Sequence, residues 1–248
     1  MRSFGPLGIL ALLLAAPIAD AATITGTVTG PDGAPFRGAF VQARHAGLKM
    51  TVSVLSDNQG RYVVENLPAG DYRLLVRTVG YKADVKAGVK LDADQNMSHD
   101  FALQKAPIRW TDISIDQGRV LLPEARGKKT LFDNCMSCHG FQSRMAATVR
   151  DEDGWRDRVS FMREAMRSSL ADRQGFSDAQ AEDVISYLTT MFGENSPLPK
   201  SPADLPAYKD TLITFPDEAL KIVYVDFEMP GPSRFPWTAI LTESEGRS

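Results

Sequence analysis

Apolar and polar residues alternate with a period of two through residues 22–106, and Gly, Pro and Asp gather between the alternating runs. Successive side chains of a strand point to opposite faces, so the pattern predicts strands over residues 24–28, 39–44, 50–56, 61–64, 72–79 and 101–103. The turns at residues 30–35, 57–60 and 67–71 carry Gly for positive φ and Pro for a preset φ. Short strands broken by turns at this spacing describe a small antiparallel β-sandwich.

After residue 122 the period lengthens to three and four, which is helical. Leu122-Pro123-Glu124 suits a first turn, and in the run that follows Leu131 and Phe132 are expected inside with Lys128 and Lys129 in solvent. A second helix is expected over residues 155–166 and a third over 178–192. Ser177 and Gln180 form a capping box for the third, Ala181, Val184, Ile185 and Leu188 are its buried stripe, and Gly193 and Pro197 stop it. Residues 112–121 read as a connection and 168–176 as a loop. The Pro-rich stretch 197–206 has a linker composition, and residues 220–229 suit one strand before Pro230-Gly231-Pro232 breaks it. The expected organisation is therefore a sandwich over 22–106, a linker over 107–123, an all-α domain over 124–196 and a tail over 197–248.

Composition narrows the setting. A net charge of −3, with no strongly basic segment, argues against a nucleic-acid partner. Residues 1–21 have the form of a secretory signal, with Arg2, an apolar run over 7–16 and the cleavage sequence Ala19-Asp20-Ala21. That run falls short of the ~20 residues a bilayer span needs, although an uncleaved N-terminal anchor stays open. A periplasmic address, with cleavage after Ala21, is the expectation.

The chemistry gathers in Cys135-Met136-Ser137-Cys138-His139-Gly140, a C-x-x-C-H run. On a helix, residues three and four apart share a face, so both thiols can reach one porphyrin edge while His139 turns to the iron. A zinc site would need four ligands, and the chain has only His45 and His99 besides these three. A thioredoxin-type pair would sit in a βαβ pattern, which is missing here, and a structural disulfide leaves His139 unexplained. One covalent haem c is expected, with Cys135 and Cys138 as thioethers and His139 as proximal axial ligand.

Residues 124–195 resemble a class I cytochrome c, on the lead from Gly127 to Phe132, the C-x-x-C-H-G core, and the last helix with Val184-Ile185-Ser186-Tyr187-Leu188. The resemblance implies that the first and last helices cross, with Gly127 and Phe132 meeting Tyr187 and Leu188. It also implies a sixth, methionine ligand, because no His follows His139. Met145 lies too near His139 and Met191 ends a helix, which leaves Met162 or, one turn on, Met166. Some such cytochromes carry a Met seven residues after a Trp, which falls here on Met162 after Trp155. Arg144, Arg150 and Trp155 are candidates for the haem propionates, against the plainer reading of the arginines as solvated surface charge.

Residues 22–106 resemble the carboxypeptidase regulatory-like domain, an Ig-like or prealbumin-like sandwich. The resemblance rests on Ile24, Gly26 and Val28, on Asp57, Gly60 and Tyr62, on Leu67-Pro68-Ala69-Gly70 with Tyr72, and on Gly80-Tyr81. It implies a spacer or docking role. Tyr62, Tyr72 and Tyr81 fit core or corner positions better than a sugar-stacking platform, and His45 and His99 fit the surface. Residues 227–237 resemble the lead into a virginiamycin B lyase-like propeller in longer relatives, whose activity does not carry over without blades.

Together these readings describe a periplasmic monohaem cytochrome that passes single electrons to a redox protein, such as a periplasmic dehydrogenase or a terminal acceptor. A subunit role in a dehydrogenase is compatible with this. Two alternatives stand beside it: a carbohydrate-binding module that targets a redox protein to a glycan, and a haem enzyme or sensor with an open sixth site.

Overall fold

A computed structural model describes residues 21–136, 140–169 and 177–228, without the side chains of 166–169. The signal residues 1–20, Cys138 and His139 of the motif, and Phe235 and Trp237 of the tail lie outside the described residues.

The N-terminal part is a two-sheet β-sandwich. Strands β1 (Ala22–Thr29), β4 (Arg61–Leu67), β7 (Asn96–Ser98) and β8 (Phe101–Ala102) form one sheet, with β1 in the middle. The other sheet runs in the order β6 (Asp84–Leu91), β5 (Gly70–Arg77), β2 (Phe40–His45), β3 (Met50–Leu55), β9 (Tyr224–Phe227). The second sheet is antiparallel throughout, whereas β7 and β8 run parallel to β1, so the first sheet is mixed. Ile24, Val28, Val41, Val64, Leu74 and Val76 point between the sheets and are fully buried.

The strand β6 escaped the alternation pattern for a physical reason. It borders the sheet with only Val89 and Leu91 buried, so its sequence carries Asp and Lys where a central strand carries apolar residues. Gly60 takes φ +73° where a Cβ would lie 2.5 Å from the Val28 carbonyl oxygen, which explains the glycine in that turn.

His45 departs from its expected surface position. It is buried, edge-on to the Tyr72 ring at 4.9 Å, and its Nδ1 accepts from the Gly47 and Leu48 amides. The imidazole organises the β2–β3 turn from inside. His99 is half-buried against Phe101.

The C-terminal part is largely helical around its own apolar cluster, which draws on residues from Ile113 to Tyr208. Residues 112–121 are not a bare connection. Helix α1 (Ile115–Leu121) starts at a Ser114–Gln117 capping box, and Ile113, Leu121 and Leu122 enter the core. Helix α2 (Lys128–Thr130) passes into a π-helical turn, Leu131–Cys135, and a second π-helical turn covers Gln142–Ala146. Helices α3 (Glu152–Ser169) and α4 (Asp178–Phe192) follow, so residues 168 and 169 belong to a helix and not to the expected loop. None of the helices among the described residues is long and apolar enough to cross a membrane.

Lys128 is a second correction. Its side chain is buried, and its ammonium donates to the Leu122 carbonyl at 2.7 Å and pairs with Glu124. Buried ammonium groups persist only when bonded in this way; Lys129 stays exposed.

The tail is not a loose linker. Leu198, Leu205 and Tyr208 pack on the helical core, and the Trp110 indole donates to the Pro199 carbonyl. The chain then returns to the sandwich, where Arg37 donates to the Phe215 carbonyl and pairs with Asp217 before β9 joins β3. The strand expected over 220–229 shortens to these four residues.

Candidate functional site

Cys135 closes the first π-helical turn and is half-buried; Met136 behind it is buried. The second π-helical turn begins two residues after Gly140. Such wide turns are rare and collect at functional sites, and here one ends on the first cysteine of the C-x-x-C-H run and the other follows it. Phe141 is fully buried between the two, edge-on to Phe192 and against Gly118 of α1, where a Cβ would crowd its ring at 3.2 Å.

Helix α2 reaches its place through Gly127. This residue has φ +89°, and a Cβ there would lie 2.2 Å from the Asp183 carbonyl oxygen. The three atoms nearest to a Cβ at Gly127 all belong to the α4 backbone at Asp183 and Val184. Tyr187 donates its hydroxyl to the Pro123 carbonyl at 2.9 Å, and its burial, with Glu124 nearby, holds the phenol above its usual pKa. The stripe Ala181, Val184, Ile185 and Leu188 is buried as expected. Gly193 ends α4 with φ −89°, so it serves space and not a left-handed turn: a Cβ would meet the Thr189 carbonyl oxygen at 2.2 Å.

Trp155, Val159 and Met162 occupy positions i, i+4 and i+7 of α3 and so share one face. Trp155 and Val159 are buried and Met162 half-buried, while Phe161 next to it is 62% exposed. The side chain of Met166 lies outside the described residues. Met145 and Met191 are both buried in the apolar cluster.

Arg150 docks the start of α3 on the end of α4, its amide donating to the Phe192 carbonyl at 3.3 Å. Its guanidinium lies over the Trp155 ring, 5.5 Å from the centroid. The Arg150 Nε and Trp155 Nε1 atoms are both buried and have no hydrogen-bond partner among the described residues, and the same is true of Thr189 Oγ1 on α4. Leaving buried donors unpaired is costly. A cation–indole pair with two buried, unpaired N–H groups suits a carboxylate. Arg144 is exposed on the second π-helical turn. Thr189 was not singled out by its sequence, because a threonine on a helix carries no signal of an unpaired hydroxyl.

On the sandwich, Tyr62 donates to the His99 carbonyl at 2.5 Å and Tyr72 to the Pro68 carbonyl at 2.7 Å; both are buried. Tyr81 is half-buried against Phe36 at 5.0 Å. Tyr62 and Tyr72 are therefore core residues and present no open ring face.

Residues 23–104 match the carboxypeptidase regulatory-like domain. Among solved structures, the chain is similar to the Bacillus anthracis TIE protein, at 16% identity over 35% of this chain and 17% of that one, TM-score 0.30. A type II cohesin–X-dockerin complex from Acetivibrio cellulolyticus gives 17% identity over 35% and 60%, TM-score 0.29. Catechol 1,2-dioxygenase from Acinetobacter sp. ADP1 gives 15% identity over 37% and 54%, TM-score 0.30. This chain thus spans 17% to 60% of the length of these structures. No curated protein matches it in sequence.

Proposed function

We propose that the helical part carries one covalent c-type haem and passes single electrons between redox proteins outside the cytoplasm, with the sandwich as its spacer or docking module. The observation that supports this reading is the Arg150–Trp155 pair, whose buried Arg150 Nε and Trp155 Nε1 lack a partner among the described residues, in the same helical part as the C-x-x-C-H run. The haem would supply the one-electron couple. Cys135 and Cys138 would hold it, His139 and Met162 would bind its iron, and Arg150 and Trp155 would hold its carboxylates.

The chain's own part is to fix and shield. Phe141, Met145, Val159, Leu188 and Phe192 belong to one buried apolar cluster, which would keep water from a bound haem. Arg156 pairs with Glu152 on its own helix and with Glu182 of α4, and the second pair ties α3 to α4. A redox partner such as a periplasmic dehydrogenase or a terminal acceptor would exchange the electron.

A reduced-minus-oxidised spectrum of the purified chain tests the proposal. Sharp c-type bands that disappear in Cys135→Ala/Cys138→Ala support it, and a featureless difference spectrum rejects it.

A further inference from the structure

We infer that the outer edge of β3 is a docking site for an extended peptide strand, held closed in this chain by its own β9. The site and its cover differ in how firmly they are built. On β3, Met50 and Val52 are 8% and 5% exposed and belong to the sandwich core. Directly opposite them, Phe227 and Val225 of β9 are 67% and 51% exposed. Cross-strand partners share a face, so these two residues extend the apolar inner face past the edge of the sandwich and bury little of themselves.

The remaining fixings of β9 are backbone rungs, exposed charges and one ring contact, Tyr224 tilted against Phe40 with centroids 5.6 Å apart while Tyr224 stays 44% exposed. The Glu228 amide donates to the Lys49 carbonyl at 2.9 Å, and antiparallel alternation then directs the Asp226 and Tyr224 amides to β3 as well. Glu228 pairs with Arg44, and further back Asp217 pairs with Arg37 and accepts from Asn58. Exposed pairs of this kind hold weakly and are screened by salt. Between the Tyr208 anchor on the helical core and β9, the residues Leu212, Ile213, Ile222 and Val223 are 44% to 78% exposed. Firm attachment thus ends at the helical core, and the strand reaches the sandwich on a lead that can let go.

Release of β9 would open the polar edge of β3 beside Met50 and Val52 and free Arg44. The partner that fits is an extended segment with apolar residues at alternate positions and an acidic residue placed to meet Arg44, which is the pattern β9 itself presents from Val223 to Glu228. Strand addition of this kind takes its affinity from main-chain bonds and its specificity from the alternate side chains.

The test uses the full-length chain and a fluorescent peptide of the sequence Lys221–Glu228. Asp226→Pro removes a rung from the chain's own strand and leaves β1–β8 unaltered. The variant is expected to bind the peptide at least tenfold more tightly than wild type, and to lose that binding when the peptide also carries Pro at the Asp226 position. Asp217→Ala, which loosens only the lead, is expected to fall between the two and covers the case in which the proline variant folds poorly. Equal affinity for all three proteins, or no binding by either variant, overturns the inference.

Discussion

The guanidinium of Arg150 lies 5.5 Å from the centroid of the Trp155 indole, and each side chain holds a buried N–H for which the described residues offer no acceptor. Such a pair costs stability in the empty protein and recovers it when an anion arrives. Trp155→Phe should therefore change sign with loading. Without haem the variant is expected to be as stable as wild type or slightly more so; with haem it should lose about 1–3 kcal/mol. Denaturant unfolding of both forms measures this, and an equal loss in both would mean the indole is ordinary packing.

The crossing at Gly127 predicts a local failure. Gly127→Ala forces a Cβ against the Asp183 carbonyl at a positive φ. Backbone strain alone should cost about 1–3 kcal/mol, and the clash adds to it. The helical transition should fall in temperature while the sandwich transition stays in place; differential scanning calorimetry separates the two, and an unchanged helical transition contradicts the contact.

Much of the sandwich was legible because its strands are half-buried and alternate, and because Gly60 and the Leu67-Pro68-Ala69-Gly70 turn mark its corners. The strand β6 was not legible, since an exposed edge need not alternate. The burial of His45 and Lys128 was not legible either, because it depends on acceptors and donors that tertiary packing supplies: the Gly47 and Leu48 amides for one, the Leu122 carbonyl for the other. In the site, the spacing of Trp155, Val159 and Met162 was readable from helical period alone. The close approach of Gly127 to the Asp183 carbonyl was not legible, since docking of the elements decides which backbone atom of α4 meets the glycine.

Alkaline pH should loosen the sandwich through its buried phenols. Burial pushes Tyr72 up to about 12 and raises Tyr62 further, with Asp100 adding to the effect. A phenol whose folded pKa is raised stabilises fully below its unfolded value of about 10 and loses that contribution as pH climbs toward the folded value. Stability is expected to hold to about pH 10 and then fall, and Tyr62→Phe should flatten the fall. A titration of unfolding midpoint against pH checks both; a slope unaltered in the variant contradicts the assignment.

Met162 is half-buried on the face of α3 that carries the buried Trp155 and Val159, and the proposed function makes it the methionine that would bind the haem iron. Met162→Ala should abolish a far-red methionine–iron band and open the iron to added imidazole, whereas Met166→Ala should keep the band. Loss of the band in Met166→Ala alone would transfer the role by one helical turn.

The most direct measurement is the intact mass of the full-length chain, produced in a host that attaches c-type haem and then unfolded in acid. One haem should remain bound per chain and be lost on Cys135→Ala/Cys138→Ala. A chain that carries no haem, or one that releases it on unfolding, contradicts the account.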